Sequence, residues 1–186
     1  MIYPIVAYGH PVLKKQAAEI DKNYPDLKQL IADMYETLYF SKGVGLAAPQ
    51  INLSIRLFIT DGTPFKDEEP GIEKFKKVFI NPVLLNEEGD EWKFNGGCLS
   101  IPGIREDVSR KATMQLKYYD ENFNEHNEVF TGIAARIIQH EYDHIEGILF
   151  VERLSSFKKR LLKGKLNDIS AGKVDVDYKM KFASKK

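Results

Sequence analysis

The chain has 186 residues, 43% hydrophobic and 29% charged, the composition of a globular chain with a buried core. Lys+Arg and Asp+Glu number 27 each, and that balance speaks against a protein that works through a standing positive field on nucleic acid or membrane surfaces. Cys98 is the single cysteine, which excludes an internal disulfide and with it a disulfide-stapled secreted scaffold.

Residues 1–10 carry neither a basic stretch nor a sustained apolar one, and no apolar run nears the roughly 20 residues that cross a bilayer. The expectation is a cytoplasmic protein with no membrane association. Pro25 can open a helix, after which Leu27, Leu30, Ile31, Met34, Tyr35 and Leu38 recur at helical spacing. That helix ends in the glycine-bearing loop 43–50. Ile55–Thr60 reads as a buried strand, 61–77 as a long polar surface loop, and Val78–Leu85 as a strand bent at Pro82. Thr113–Asp120 reads as a further strand, with a turn near Glu121-Asn122 and a return strand ending at Phe130. A second helix is expected from about Ile133 to Glu146, capped by Thr131 and stopped by Gly147. Ser155 or Ser156 caps a third helix reaching about Ile169. After Gly172, alternation of Val174, Val176, Tyr178, Met180 and Phe182 with polar residues predicts a C-terminal strand. With no repeat or linker, residues 1–186 read as one α+β domain: antiparallel sheets around the second helix, a further C-terminal helix and a terminal strand.

The sharpest signal is His140-Glu141-Tyr142-Asp143-His144 on that second helix. Residues four apart lie one turn above another, so both imidazoles can reach one metal ion while Glu141, one step round, can reach a water beside it. Apolar residues on both sides bury the helix, where two unpartnered histidines are costly. The third ligand decides the class of site. A metzincin-type continuation places Phe150 where a histidine is needed, and the thermolysin-type position falls in Lys163-Gly164-Lys165, without a carboxylate. The remaining good ligand is Cys98, in Gly96-Gly97-Cys98-Leu99-Ser100, where flanking glycines allow close backbone approach. A Cys-His-His set leaves a fourth position open, the catalytic arrangement, and its sulfur and two imidazoles suit Zn²⁺.

Three segments resemble the signature motifs of the peptide deformylases, in order and spacing: Gly43-Val44-Gly45-Leu46-Ala47-Ala48-Pro49-Gln50, Gly97-Cys98-Leu99-Ser100, and Gln139-His140-Glu141-Tyr142-Asp143-His144. The resemblance implies a hydrolase that removes the N-formyl group from the formyl-methionine of new polypeptides. It implies one divalent metal ion per chain, Fe²⁺ in the first place with Zn²⁺, Ni²⁺ or Co²⁺ as substitutes, held by Cys98, His140 and His144. Glu141 would serve as general base and proton donor, and the Gln50 amide and Leu99 N–H would stabilise the oxyanion. Val44, Gly45, Leu46, Gly97 and Arg105 would bind substrate. Ile133 and Ile137, one and two turns before the ligands, are either the methionine pocket or core.

One position departs from the family pattern: Gly96 stands where the second motif normally begins with Glu, a carboxylate able to pair with an arginine such as Arg105. Residues 158–186 hold ten Lys/Arg against three Asp; that asymmetry, together with the resemblance, implies ribosome contact, with no sequence-specific nucleic-acid binding. Two rival readings stay open: a zinc endopeptidase sharing the His-Glu-x-x-His chemistry, and a catalytically impaired binding protein pinned by its metal.

Overall fold

The computed structural model describes residues 1–183. Lys185 and Lys186 of the basic C-terminal segment lie outside the described residues. Strand β1, Ile5–Val6, is followed after a short helical turn by helix α1, Leu27–Phe40. Leu27, Leu30, Ile31, Met34 and Leu38 form its buried stripe, as their spacing requires. The helix starts after Pro25 rather than at it, because Asp26 takes a left-handed conformation with φ 51°. Strands β2, Gly45–Ala47, β3, Leu57–Asp61, β4, Lys76–Cys98, β5, Ile101–Tyr119, and β6, Glu125–Thr131, form one antiparallel sheet in sequential order. Helices α2, Gly132–Ile145, and α3, Ser156–Ser170, follow, and β7, Met180–Lys181, closes the chain parallel to β1.

The sheet differs from expectation at its centre. The expected strand Val78–Leu85 is the first third of β4, and Thr113–Asp120 is the far end of β5. Residues 86–97, charged and glycine-bearing, lack the β-branched pattern of a strand, yet they pair with 105–115 along an antiparallel ladder. The pairing partner, not the local sequence, makes them strand. The ladder ends in the two-residue turn Leu99-Ser100, with Cys98 opposite Ile101 and a register shift beside Gly97. This puts Cys98 at a hairpin tip.

At the C-terminus the period-2 pattern marks an extended segment, but only Met180 and Lys181 pair, with Ile5 and Val6. Val174, Met180 and Phe182 nonetheless pack against the core, which accounts for the alternation.

Helix α2 lies against β2, β3 and β5, with Ile138 and Ile145 fully buried among Phe58, Phe79 and Leu116. Its start is capped differently from expectation. Thr131 occupies the cap position, but its side chain makes no capping bond. Instead the Ile133 N–H donates to the Glu69 carboxylate at 2.9 Å, from the polar stretch 61–77. Gly132, at φ +59°, makes room for it: a Cβ there would sit 2.6 Å from Glu69 Oε2. An acidic group at this end also meets the positive pole of the helix dipole.

Glu69→Ala is therefore expected to lower the unfolding free energy by about 1 kcal/mol. Gly132→Ala is expected to cost more, since it adds a strained φ to the lost cap. Urea titrations of the three proteins check this, and an unchanged midpoint for both variants contradicts the capping role.

Candidate metal centre

The hairpin tip brings Cys98 onto the buried face of α2 that carries His140 and His144. One ligand atom from each lies within 4.8 Å of the others, and Cys98 Sγ is 3.3 Å from His144 Nε2. The imidazoles sit 5.0 Å apart between centroids and nearly perpendicular, at 79°. Burial pushes the proton affinity of both rings down, His140 well below the ordinary range and His144 to about 4, so both are neutral with free lone pairs. Burial also pushes the Cys98 thiol up to about 12 against hydrogen bonds from Ser100, so only a nearby cation would make it a thiolate. His144 Nδ1 is buried with no hydrogen-bond partner among the described residues. One sulfur and two neutral imidazoles converging in this way fit a divalent transition-metal ion.

Glu141 is 3% exposed and faces the same space. Burial raises its proton affinity well above that of an ordinary carboxylate; Asp143 adds to the shift and Arg110 opposes it. Its Oε2 has no partner among the described residues, and its other oxygen lies against the backbone of β2. A Cβ on Gly45 would come within 2.4 Å of Glu141 Oε1. Gly45 is thus the residue that admits the carboxylate. Gln50 is locked by its own amide: Oε1 accepts from the Ala47 N–H at 2.9 Å, and Nε2 donates to Ser100 Oγ at 3.3 Å and to Cys98 Sγ at 3.6 Å.

Polar side chains on the other faces of α2 fix its rotation. Asp143 pairs with Arg110 at 2.8 Å and receives Arg153 on both oxygens, the Nε contact at 2.6 Å. Arg136 donates to the carbonyls of Trp92 and Arg110 and lies over the Trp92 ring, 4.3 Å from its centroid. Gln139 donates to Lys111 O at 3.0 Å, and Tyr142 accepts from the Leu84 N–H at 3.3 Å. The sequence reading missed this clamp. An aspartate inside a buried helix was the available signal, because it demands a cation partner.

A cavity of about 620 Å³ opens onto the cluster. Gln50, Cys98, Leu99, His140 and Glu141 line it, together with Val44, Gly45, Gly97, Arg105 and Ile137. Two expected substrate residues stand elsewhere. Leu46 is fully buried in the core beneath α1, and Ile133 packs with Ile72 and Ile137 behind the cavity wall. Phe65 and Phe94, neither singled out from sequence, take that side of the wall in an edge-on contact of 5.6 Å. Arg105 is exposed at the rim and bonds Asn95, not a carboxylate, so Gly96 leaves no arginine there unpartnered. A Cβ at Gly96 would meet nothing within 4 Å.

A family model described as polypeptide deformylase matches residues 2–160. The chain is 57% identical to the peptide deformylase of Cytophaga hutchinsonii over 186 residues, covering the whole of both. It is 55% identical to that of Christiangramia forsetii, covering 100% of this chain and 98% of the relative. The solved peptide deformylase of Legionella pneumophila is similar at a TM-score of 0.81 and 34% identity, over 93% of this chain and 98% of that one.

Purified wild-type protein is expected to carry one divalent ion per chain by elemental analysis. Cys98→Ala and His144→Ala should each retain less than about a tenth of it, since two ligands hold such an ion far more weakly than three. Undiminished metal in both variants would place the ion elsewhere.

Proposed function

The chain belongs to the polypeptide deformylase family, and we propose that residues 1–186 act as one catalytic domain that hydrolyses the N-formyl group of formyl-methionyl nascent peptides. The products are formate and a free N-terminal amine. The observation that carries this reading is the cluster of Cys98, His140 and His144 beside the buried Glu141 carboxylate, with Cys98, His140 and Glu141 lining one cavity. The endopeptidase and metal-pinned readings are not favoured, since every full-length relative described above is a deformylase.

Cys98, His140 and His144 would hold the metal, Fe²⁺ by family resemblance. Bound there, the ion supplies Lewis acidity, which lowers the pKa of a water and polarises the formyl carbonyl. Glu141 takes a proton from the attacking water as its oxygen bonds to the formyl carbon. The raised proton affinity of the buried carboxyl suits it to hold that proton and pass it to the nitrogen as the C–N bond breaks. Gln50 Nε2 and the Leu99 N–H donate to the developing oxyanion, and Gln50 arrives pre-aligned because its oxygen is anchored to Ala47. Gly45, Gly97 and Arg105 contact the peptide. Val44, Ile137, Phe65 and Phe94 offer an apolar wall for the methionine side chain.

For the setting, the reading is a cytoplasmic enzyme working beside the ribosome. No helix among the described residues is long and apolar enough to cross a membrane. On α3, Phe157 and Leu161 are exposed one turn apart among Lys159, Arg160, Lys163 and Lys165, a surface fit to meet ribosomal partners. Ribosome co-sedimentation should weaken when α3 and the segment beyond it are removed, and undiminished binding would refute the docking role.

The catalytic reading is tested by anaerobic formate release from formyl-Met-Ala-Ser with iron-, nickel- and zinc-loaded protein. Iron-loaded protein should be the fastest. Glu141→Gln should lose about 10²–10⁴-fold in kcat and Gln50→Ala about 10²–10³-fold, each with metal content intact. Glu141→Gln acting at the wild-type rate would remove the carboxylate from the mechanism.

A further inference from the structure

The C-terminal segment beyond α3 lies outside the family-model match, which ends at residue 160, yet Asp175 to Tyr178 line the cavity. The segment is anchored at both ends. Upstream, the ring of Phe182 packs beneath Gly172, 3.7 Å from where its Cβ would be. Downstream, the Ile5 and Ala7 N–H groups donate to Lys179 O and Lys181 O, each at 2.8 Å. Between the anchors, Asp177 approaches Lys42 at 3.6 Å on one lip of the cavity. On the opposite lip the Tyr178 hydroxyl donates to the Leu99 carbonyl at 2.8 Å.

That last bond falls on a turn with no slack to lose. Cys98-Leu99-Ser100 is held by the Tyr8 N–H on Ser100 O at 2.8 Å and by Gln50 Nε2 on Ser100 Oγ. Cys98 also pairs with Ile101 in the ladder, and Tyr178 adds the bond that fixes the peptide plane following Leu99. Without it, rotation about Leu99 would turn the peptide group that precedes it, which carries the Leu99 N–H, and a hydrogen bond weakens steeply as its angle closes. Half-buried Tyr178 also packs against the core through its ring, so packing and hydrogen bonding are separable by removing the oxygen alone.

We propose that Tyr178 is a positioning residue of the site: its hydroxyl holds the turn so that the Leu99 N–H points at the formyl oxygen. This rests on the deformylase reading above. The C-terminal strap is thereby a working wall of the cavity.

The test compares metal-loaded wild type with Tyr178→Phe, using Phe182→Ala as a control that loosens the strap's packing while leaving the hydroxyl. Tyr178→Phe should lower kcat for formyl-Met-Ala-Ser about five- to tenfold, the worth of one misaligned donor, with KM within twofold. Its Tm should stay close to wild type, whereas Phe182→Ala should lower Tm while keeping kcat within about twofold of wild type. Amide hydrogen exchange of the peptide covering 95–101 should be faster in Tyr178→Phe, a readout independent of turnover. A kcat within twofold of wild type, a loss confined to KM, or unchanged exchange each overturns the proposal. Wild type that releases no formate, with exchange responding as expected, sinks the deformylase reading and leaves the turn's dependence on Tyr178 standing.

Discussion

Everything in this molecule turns on burying a helix that is too polar to be buried alone. Among the fourteen residues of α2, Arg136, Gln139, Glu141, Asp143 and His144 are all buried. An uncompensated buried ion costs several kcal/mol, and removing one partner of a buried pair costs about 3–5 kcal/mol. The surrounding sheet is organised to avoid that cost. Arg110 on β5 neutralises Asp143, β4 and β5 carbonyls receive Arg136, and Lys111 O receives Gln139. The long β4–β5 hairpin is thus more than a support. It supplies the acceptors and cation that let α2 enter the core, and its tip carries the third candidate ligand.

Against that largely paired background, the groups left without partners are informative. Glu141 Oε2 and His144 Nδ1 are buried with no partner among the described residues, and both lie at the candidate metal cluster. Arg136 Nε and Nη1 and Gln139 Oε1 on the same helix are also without partners, but those side chains are held through their other atoms by the Arg110 and Lys111 carbonyls, and what singles out Glu141 and His144 is their place beside Cys98 and His140. The same logic separates the two glycines that count. Gly45 leaves space for a carboxylate that must reach the cavity, and Gly132 leaves space for a carboxylate that must reach a helix end. Each lacks a side chain because another residue's carboxylate occupies the volume.

This explains what could be read from the sequence and what could not. Helices were legible because their apolar spacing reports burial directly: Leu30, Met34 and Leu38 on α1 are where the pattern puts them. The candidate ligand triad was legible because its chemistry is carried by rare residue types at fixed spacing. Residues 86–97 were not, since their strand character comes from pairing with residues 105–115 rather than from their own sequence, and their exposed faces carry charge. Leu46 sits inside a motif but turns its side chain into the core, a direction that motif membership does not encode. The Glu69 cap was hidden for a related reason. A cap is ordinarily sought in the residues next to a helix, and here it comes from more than sixty positions away.

Two segments outside the three motifs, the polar stretch 61–77 and the C-terminal segment read as a strand, also reach the site, and they do so towards opposite ends of α2. Carboxylate Glu69 sits at the positive end of α2, while His140 and His144 occupy its last two turns, where the negative pole favours a cation. The helix dipole and its cap therefore act in the same sense as the ligand set. Phe65, on the same loop as Glu69, lines the cavity, so one segment both caps the helix and shapes the apolar wall beside it. At the other pole the strap reaches Leu99 through Tyr178, beside the sulfur of Cys98. The candidate site assembled from residues 45–50, 98–100 and 140–144 is consequently braced by a polar loop and by a C-terminal segment, both distant in sequence from its own motifs.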